Sequence, residues 1–154
     1  MEQKIIRTLN VYYYGIMALT LLAGTLAYFL IMKDYVQPID SLSSLGQAIQ
    51  YIVILDALVT IPLGLYLCKK QCTKLSILDN DEEKLQGYKK AASLRILLVG
   101  NTMVFAIAAF YLMGAYQSML WVAAVSAIGW YFTKPSERKM ELELQPKDPT
   151  QEQY

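Results

Sequence analysis

Asp56 is the residue whose chemistry most needs an explanation, because it lies inside the apolar run YIVILDALVTIPLGLYL of residues 51–67. That run is long enough to cross a bilayer as a helix, and a carboxylate near the centre of the hydrocarbon is costly and usually functional. Thr60 follows one helical turn later, and Pro62 leaves the carbonyl of Leu58 without its usual N–H donor. These residues predict a polar site in the middle of the membrane.

Other polar side chains are expected near the same depth. At a rise of about 1.5 Å per helical residue, Thr20 in the first apolar segment should lie at nearly the height of Asp56. Asn101, Thr102 and Ser126 are predicted to form a second polar layer nearer the cytoplasm. Asn101 and Asp56 differ in height by about 10 Å on this scale, so they need not touch.

Three roles for Asp56 are compatible with the sequence. A neutral, protonated carboxyl could join helices by a hydrogen bond to Thr20 or to a backbone carbonyl. The carboxyl could instead be the proton or cation site of a small transporter. In a third role it binds a basic or polar residue of another subunit, because no Lys or Arg of this chain reaches its depth.

The residue inventory excludes several kinds of chemistry. The chain has no histidine, so catalysis, zinc binding and haem ligation that depend on that side chain are excluded for this chain alone. Cys68 and Cys72 are the two cysteines, and a single C-x3-C pair is too little for a structural metal site or a typical redox motif. No phosphate-binding loop or nucleophile elbow is present. We therefore expect neither an enzyme nor a bound cofactor.

The distribution of charge predicts an all-α integral membrane protein with four transmembrane helices. Charged residues make up 18% of the chain, against about 25% in soluble domains. None occurs between Arg7 and Lys33 or between Arg95 and Lys134. Segments of about 20 apolar residues cross the hydrocarbon, and they place the spans at about residues 8–32, 46–68, 96–113 and 118–133, within one domain of residues 1–133.

The basic residues predict the orientation, because Lys and Arg accumulate in cytoplasmic loops. Of the 14 basic residues, only Lys33 lies in a loop assigned to the other side. The others precede span one, lie between spans two and three, or follow span four: Lys4, Arg7, Lys69, Lys70, Lys74, Lys84, Lys89, Lys90, Arg95, Lys134, Arg138, Lys139 and Lys147. Both termini are therefore expected in the cytoplasm.

Two further segments lie outside the predicted membrane spans. Residues 69–95 resemble a helical hairpin that continues spans two and three into the cytoplasm. Asp79, Asn80 and Asp81 can end one helix and cap the next, and acidic residues follow them in the first turn. The tail of residues 134–154 has three prolines and few apolar residues. We predict that it is disordered, with a short helical turn at residues 140–144.

Taken together, these features favour a non-enzymatic accessory or assembly subunit of a membrane complex. A proton- or cation-coupled small transporter or channel that uses Asp56 is the alternative. The expected partners are the lipid bilayer and either further copies of the chain or other membrane subunits. Nucleic acid is not expected, because acidic residues in the same segments cancel the basic ones. A short chain of this kind best suits the bacterial cytoplasmic membrane.

Overall fold

The computed structural model describes residues 2–78 and 80–145, which form five α-helices and no strand. The helices are α1 (Glu2–Met32), α2 (Ser44–Leu75), α3 (Asp81–Leu112), α4 (Gln117–Tyr131) and α5 (Glu137–Leu144). The first three are long and apolar enough to cross a membrane. The all-helical fold and the membrane character predicted from the sequence are confirmed at this level.

Helix α4 is much shorter than the other three helices of the bundle. Its 15 residues give a length of about 22 Å at 1.5 Å per residue, below the roughly 30 Å of hydrocarbon. It nevertheless packs against both α3 and α2. A fourth membrane crossing stays a prediction.

The connection between α2 and α3 has the form expected from the sequence. Asn80 is the N-cap of α3, and its side chain accepts a hydrogen bond from the backbone N–H of Glu82 at 3.1 Å. The two helices stay in contact beyond their apolar segments. A Cβ built on Gly87 of α3 would lie only 2.3 Å from Leu75 Cδ2 of α2, which shows how closely they pack there. An antiparallel hairpin therefore extends both helices. Asp79 lies outside the described residues.

Helix α3 is the centre of the bundle, with α1 and α2 on opposite sides of it. Gly100 faces Ile16 of α1, whereas Leu98 contacts Gly64 of α2. Two residues span about 200° around an α-helix, so these contacts place α1, α3 and α2 in one layer. We call it the three-helix layer.

Helix α4 covers one side of the three-helix layer. A Cβ on Gly129 of α4 would lie 3.0 Å from Ile61 of α2 and 3.6 Å from Val99 of α3. At the same end of the bundle, the rings of Tyr13 and Trp130 stack with their centroids 3.9 Å apart. The absence of a side chain at Gly129 lets α4 approach α2 and α3 closely.

Helix α5 corrects the prediction of a disordered tail for the residues that the structure describes. Ser136 caps the helix by accepting from the backbone N–H of Lys139. Met140 and Leu144 are buried in the same apolar cluster as Leu9 and Tyr88. The segment cannot bury enough surface by itself, and it folds by docking on the bundle. The predicted turn at residues 140–144 is part of this longer helix, and residues 146–154 lie outside the description.

Candidate functional site

Asp56 and Thr60 form a hydrogen-bonded pair on α2. The Thr60 hydroxyl donates to Asp56 Oδ1 at 2.8 Å, which is the contact that their spacing of four residues allows. Asp56 Oδ2 is buried and has no hydrogen-bond partner among the described residues. One oxygen of the carboxyl is therefore satisfied within the helix, and the other is not.

Asp56 points away from α4. Ile54, two residues earlier, lines a cavity together with Trp121 and Val122 of α4. A separation of two residues is about 200° around the helix. The carboxyl group therefore lies on the side of the three-helix layer that α4 does not cover.

Asn101 of α3 lies on that same side. Val99, two residues earlier, faces Gly129 of α4, so Asn101 is on the opposite side of α3. Its side chain is exposed, and its neighbours Leu97 and Phe105 are 50% and 53% exposed. We call the side of the layer that bears Asp56, Thr60 and Asn101 the uncovered face.

The depths of these groups follow from the helix register. Gly64 lies opposite Leu98 and Val99, and α2 and α3 are antiparallel. Counting about 1.5 Å per residue from that contact, Asp56 and Asn101 differ in depth by about 8 Å. Within the described chain no hydrogen bond joins them, so the uncovered face presents two separate polar positions.

Thr20 does not contribute to the pair. Gly24 faces Ile107, and Gly100 faces Ile16, which places Thr20 about 4–5 Å from the depth of Asp56, between the depths of Asp56 and Asn101. Its buried hydroxyl donates to the carbonyl of Ile16 at 2.8 Å rather than to the carboxyl. The hydroxyl is thus satisfied within its own helix.

The other predicted site residues lie in different parts of the bundle. Thr102 is buried, and its hydroxyl donates to the Leu98 carbonyl at 3.3 Å. Ser126 is buried in α4 with no partner for its hydroxyl in the described chain. Pro62 is exposed, and α2 continues through it. Asn101 therefore faces a different side of the bundle from the two hydroxyl residues, although the register places all three near one depth, as predicted for a layer.

A second polar cluster, around Arg95, was not predicted from the sequence. Arg95 is only 3% exposed, and its Nη1 donates to Glu143 Oε1 of α5 at 2.8 Å. Its Nε and Nη2 are buried without a partner among the described residues. The cluster was missed because the tail was expected to be disordered, although Met140 and Leu144 are spaced by one helical turn and could have indicated a docked helix.

Lys139 completes the charged part of the Arg95 cluster. Its ammonium donates to the backbone carbonyl of Phe132 at the end of α4. Burial, and then the positive charge of Arg95, lower the pKa of Lys139. Two cations are thus close enough for the charge of one to act on the other.

The thiols of Cys68 and Cys72 lie beside this cluster. Their Sγ atoms are 3.9 Å apart, and a carboxylate oxygen of Glu143 completes a group of three possible metal ligands within 4.8 Å of one another. The carboxylate is already paired with Arg95. The thiol–thiol hydrogen bond and burial raise the pKa of Cys72, so this thiol is protonated when no metal ion is bound.

Comparison with known proteins adds no assignment: no family model, curated protein or solved structure matches this chain.

Proposed function

We propose that the chain crosses the membrane four times with both termini in the cytoplasm, and that it is a non-enzymatic accessory subunit of a membrane complex. The bacterial cytoplasmic membrane is the proposed location. The observation that carries the functional proposal is the uncovered face, which bears the exposed Asn101 and the half-buried Asp56. The Oδ2 atom of Asp56 is covered by side chains of this chain and has no partner among the described residues.

The energetic argument concerns a single copy in lipid. On the uncovered face, Asp56 and Asn101 are surrounded by apolar side chains and have no second helix to bind. Polar groups inside the hydrocarbon are costly, and they almost always face other protein or water. A transmembrane helix from another subunit satisfies this requirement: it can bind the exposed Asn101 directly, and a donor at the depth of Asp56 can reach Oδ2 once the side chains that cover that atom move.

A photo-crosslinker placed at Phe105 tests this arrangement in native membranes. Phe105 lies on the uncovered face near the depth of Asp56, and Val125, 57% exposed on α4, is the matched control. We expect the probe at Phe105, and not at Val125, to capture one membrane protein in a stoichiometric ratio. The product should disappear in Asp56→Leu. Crosslinks to this chain only, or to lipid only, contradict the proposal.

Proton- or cation-coupled transport is the second candidate function. The unpartnered Asp56 Oδ2 beside the Thr60 hydroxyl favours it, because intramembrane carboxylates often bind ions during transport. Four spans leave little room for an enclosed path, so this function requires at least a dimer. In proteoliposomes, flux driven by a pH gradient should be lost in Asp56→Asn, and unchanged flux excludes transport at this residue.

A further inference from the structure

The ends of α2 and α4, Arg95 of α3 and the docked α5 line a half-open cavity of about 460 Å³. Three apolar side chains lie on its wall together with the Arg95 cluster and its neighbours. The lining residues are Leu65, Lys69, Cys72, Thr73, Arg95, Phe132, Lys139, Leu142 and Glu143. A wall that combines cations with apolar side chains fits an amphiphilic anion.

Arg95 provides the strongest indication of a missing ligand. A guanidinium group has five N–H donors, and here one Nη1 bond reaches Glu143. Nε and Nη2 stay buried and unpartnered in the part of the chain that the structure describes. Buried donors without acceptors are unfavourable, and a rotation of the guanidinium group toward the cavity that Arg95 lines would let phosphate oxygens accept from them.

The charge of the cavity is also unbalanced. Arg95, Lys69 and Lys139 bring three positive charges to its wall, and Glu143 brings one negative charge. The remaining excess is two positive charges. Lys139 donates to the Phe132 carbonyl, and an ammonium group has two further donors. An anion would therefore be attracted by charge and held by several hydrogen bonds.

The location of the cavity indicates that the anion is a lipid headgroup. Lys69 follows directly after the apolar segment of α2, and Phe132 lies at the end of α4. In the proposed topology both belong to the cytoplasmic edge of the bilayer, where lipid headgroups lie. Basic pockets between helices at this level bind anionic headgroups.

We propose that Arg95, Lys69 and Lys139 bind the phosphate group of an anionic phospholipid, whose acyl chains leave the cavity past Leu65 and Phe132. The site is independent of the uncovered face and of any partner that binds there. The docked α5 supplies Lys139 and Glu143 to the wall of this cavity.

Native mass spectrometry of the full chain in a neutral detergent tests the proposal. The ligands are phosphatidylglycerol, phosphatidylcholine and inorganic phosphate. We expect preferential binding of phosphatidylglycerol, which Lys69→Gln and Lys139→Gln should each weaken by about fivefold, as expected for one cation near a headgroup. Glu143→Gln should strengthen binding, because it removes the competing carboxylate.

Lys70→Gln is the matched control, since it removes the same charge one residue away. The Lys70 ammonium lies 6.0 Å from the centre of the Tyr66 ring, and Lys70 does not line the cavity. Its substitution should leave binding unchanged. Equal weakening by Lys69→Gln and Lys70→Gln, equal binding of phosphatidylcholine, or complete displacement of the lipid by inorganic phosphate overturns the proposal.

Discussion

At the residue scale, Asp56 shows how much of the site could be predicted from the sequence. Its contact with Thr60 follows from a spacing of four residues, which brings two side chains together on any α-helix. The environment of Thr20 could not be predicted in this way. Its depth follows from counting residues, but the choice between the Asp56 carboxyl and the Ile16 carbonyl depends on how α1 is rotated against α3.

Substitution of Asp56 separates stability from assembly. In Asp56→Leu we expect the purified protein to be at least as stable to heat as the wild type, because an apolar side chain replaces a carboxyl on a surface that faces lipid. Co-purification of a partner from native membranes should be lost. Thermal unfolding in detergent and quantitative co-purification measure the two effects.

Thr60→Val is the companion to that experiment. It keeps the shape of the side chain but leaves both oxygens of the Asp56 carboxyl without a donor, so we expect a loss of about 1–3 kcal/mol in stability. If Asp56→Leu unfolds the protein at a much lower temperature than Thr60→Val, the carboxyl has a structural role within one copy, and the assembly role is contradicted.

At the element scale, the long helices could be predicted because their charge-free segments and the Asn80 cap are local signals. Helix α5 could not be predicted in the same way. Its polar composition is typical of a disordered segment, and it is ordered by two side chains, Met140 and Leu144, that belong to an apolar cluster built from α1, α2 and α3. Contacts between segments distant in sequence are not visible in the composition of either segment.

The packing of α1 on α3 depends on the absence of a side chain at Gly100. A Cβ there would lie 2.5 Å from Ile16 Cγ2, so Gly100→Ala must displace Ile16 or separate the helices. We expect it to lower stability by about 1–3 kcal/mol, the usual cost of overpacking, as measured by thermal unfolding in detergent.

Gly15→Ala is the matched control for Gly100→Ala, because a Cβ on Gly15 meets no atom within 4 Å. It should be neutral or slightly stabilising, since alanine favours a helix more than glycine does. The combined loss in the Ile16→Ala, Gly100→Ala double variant should be smaller than the sum of the two single losses, because the smaller side chain at position 16 leaves room for the added Cβ. Additive losses in the double variant exclude the proposed contact as the cause.

The docking of α5 depends on one side of a short helix. Met140 is 1% exposed, and Leu142, two residues later, is 61% exposed. Met140→Ser should release α5 and expose residues 137–144 to protease and to hydrogen exchange, whereas Leu142→Ser should leave their protection unchanged. Equal protection in both variants contradicts docking through Met140.

At the scale of the whole molecule, the orientation rests on the segregation of charge rather than on any single contact. The three long helices pack with α3 in the centre, and the α2–α3 hairpin and α5 gather most of the basic residues at one end. For a membrane protein this asymmetry predicts that this end lies in the cytoplasm. The proposed fourth span agrees with that orientation, since α4 runs from the far end of α3 back to the segment that carries α5.

Labelling of single cysteines tests this topology directly. Leu42→Cys, in the loop before α2, and Ile77→Cys, at the tip of the hairpin, are equally exposed at 79%, so accessibility within the protein does not separate them. In intact cells, a membrane-impermeant maleimide should label position 42 and not position 77.

Ser118→Cys at the start of α4 should react like position 42, and Leu142→Cys of α5 like position 77. The native Cys68 and Cys72 are both 2% exposed and serve as the background, which C68S/C72S removes. Labelling of positions 118 and 142 from the same side contradicts the fourth span, because α4 would then lie along one surface of the membrane instead of crossing it.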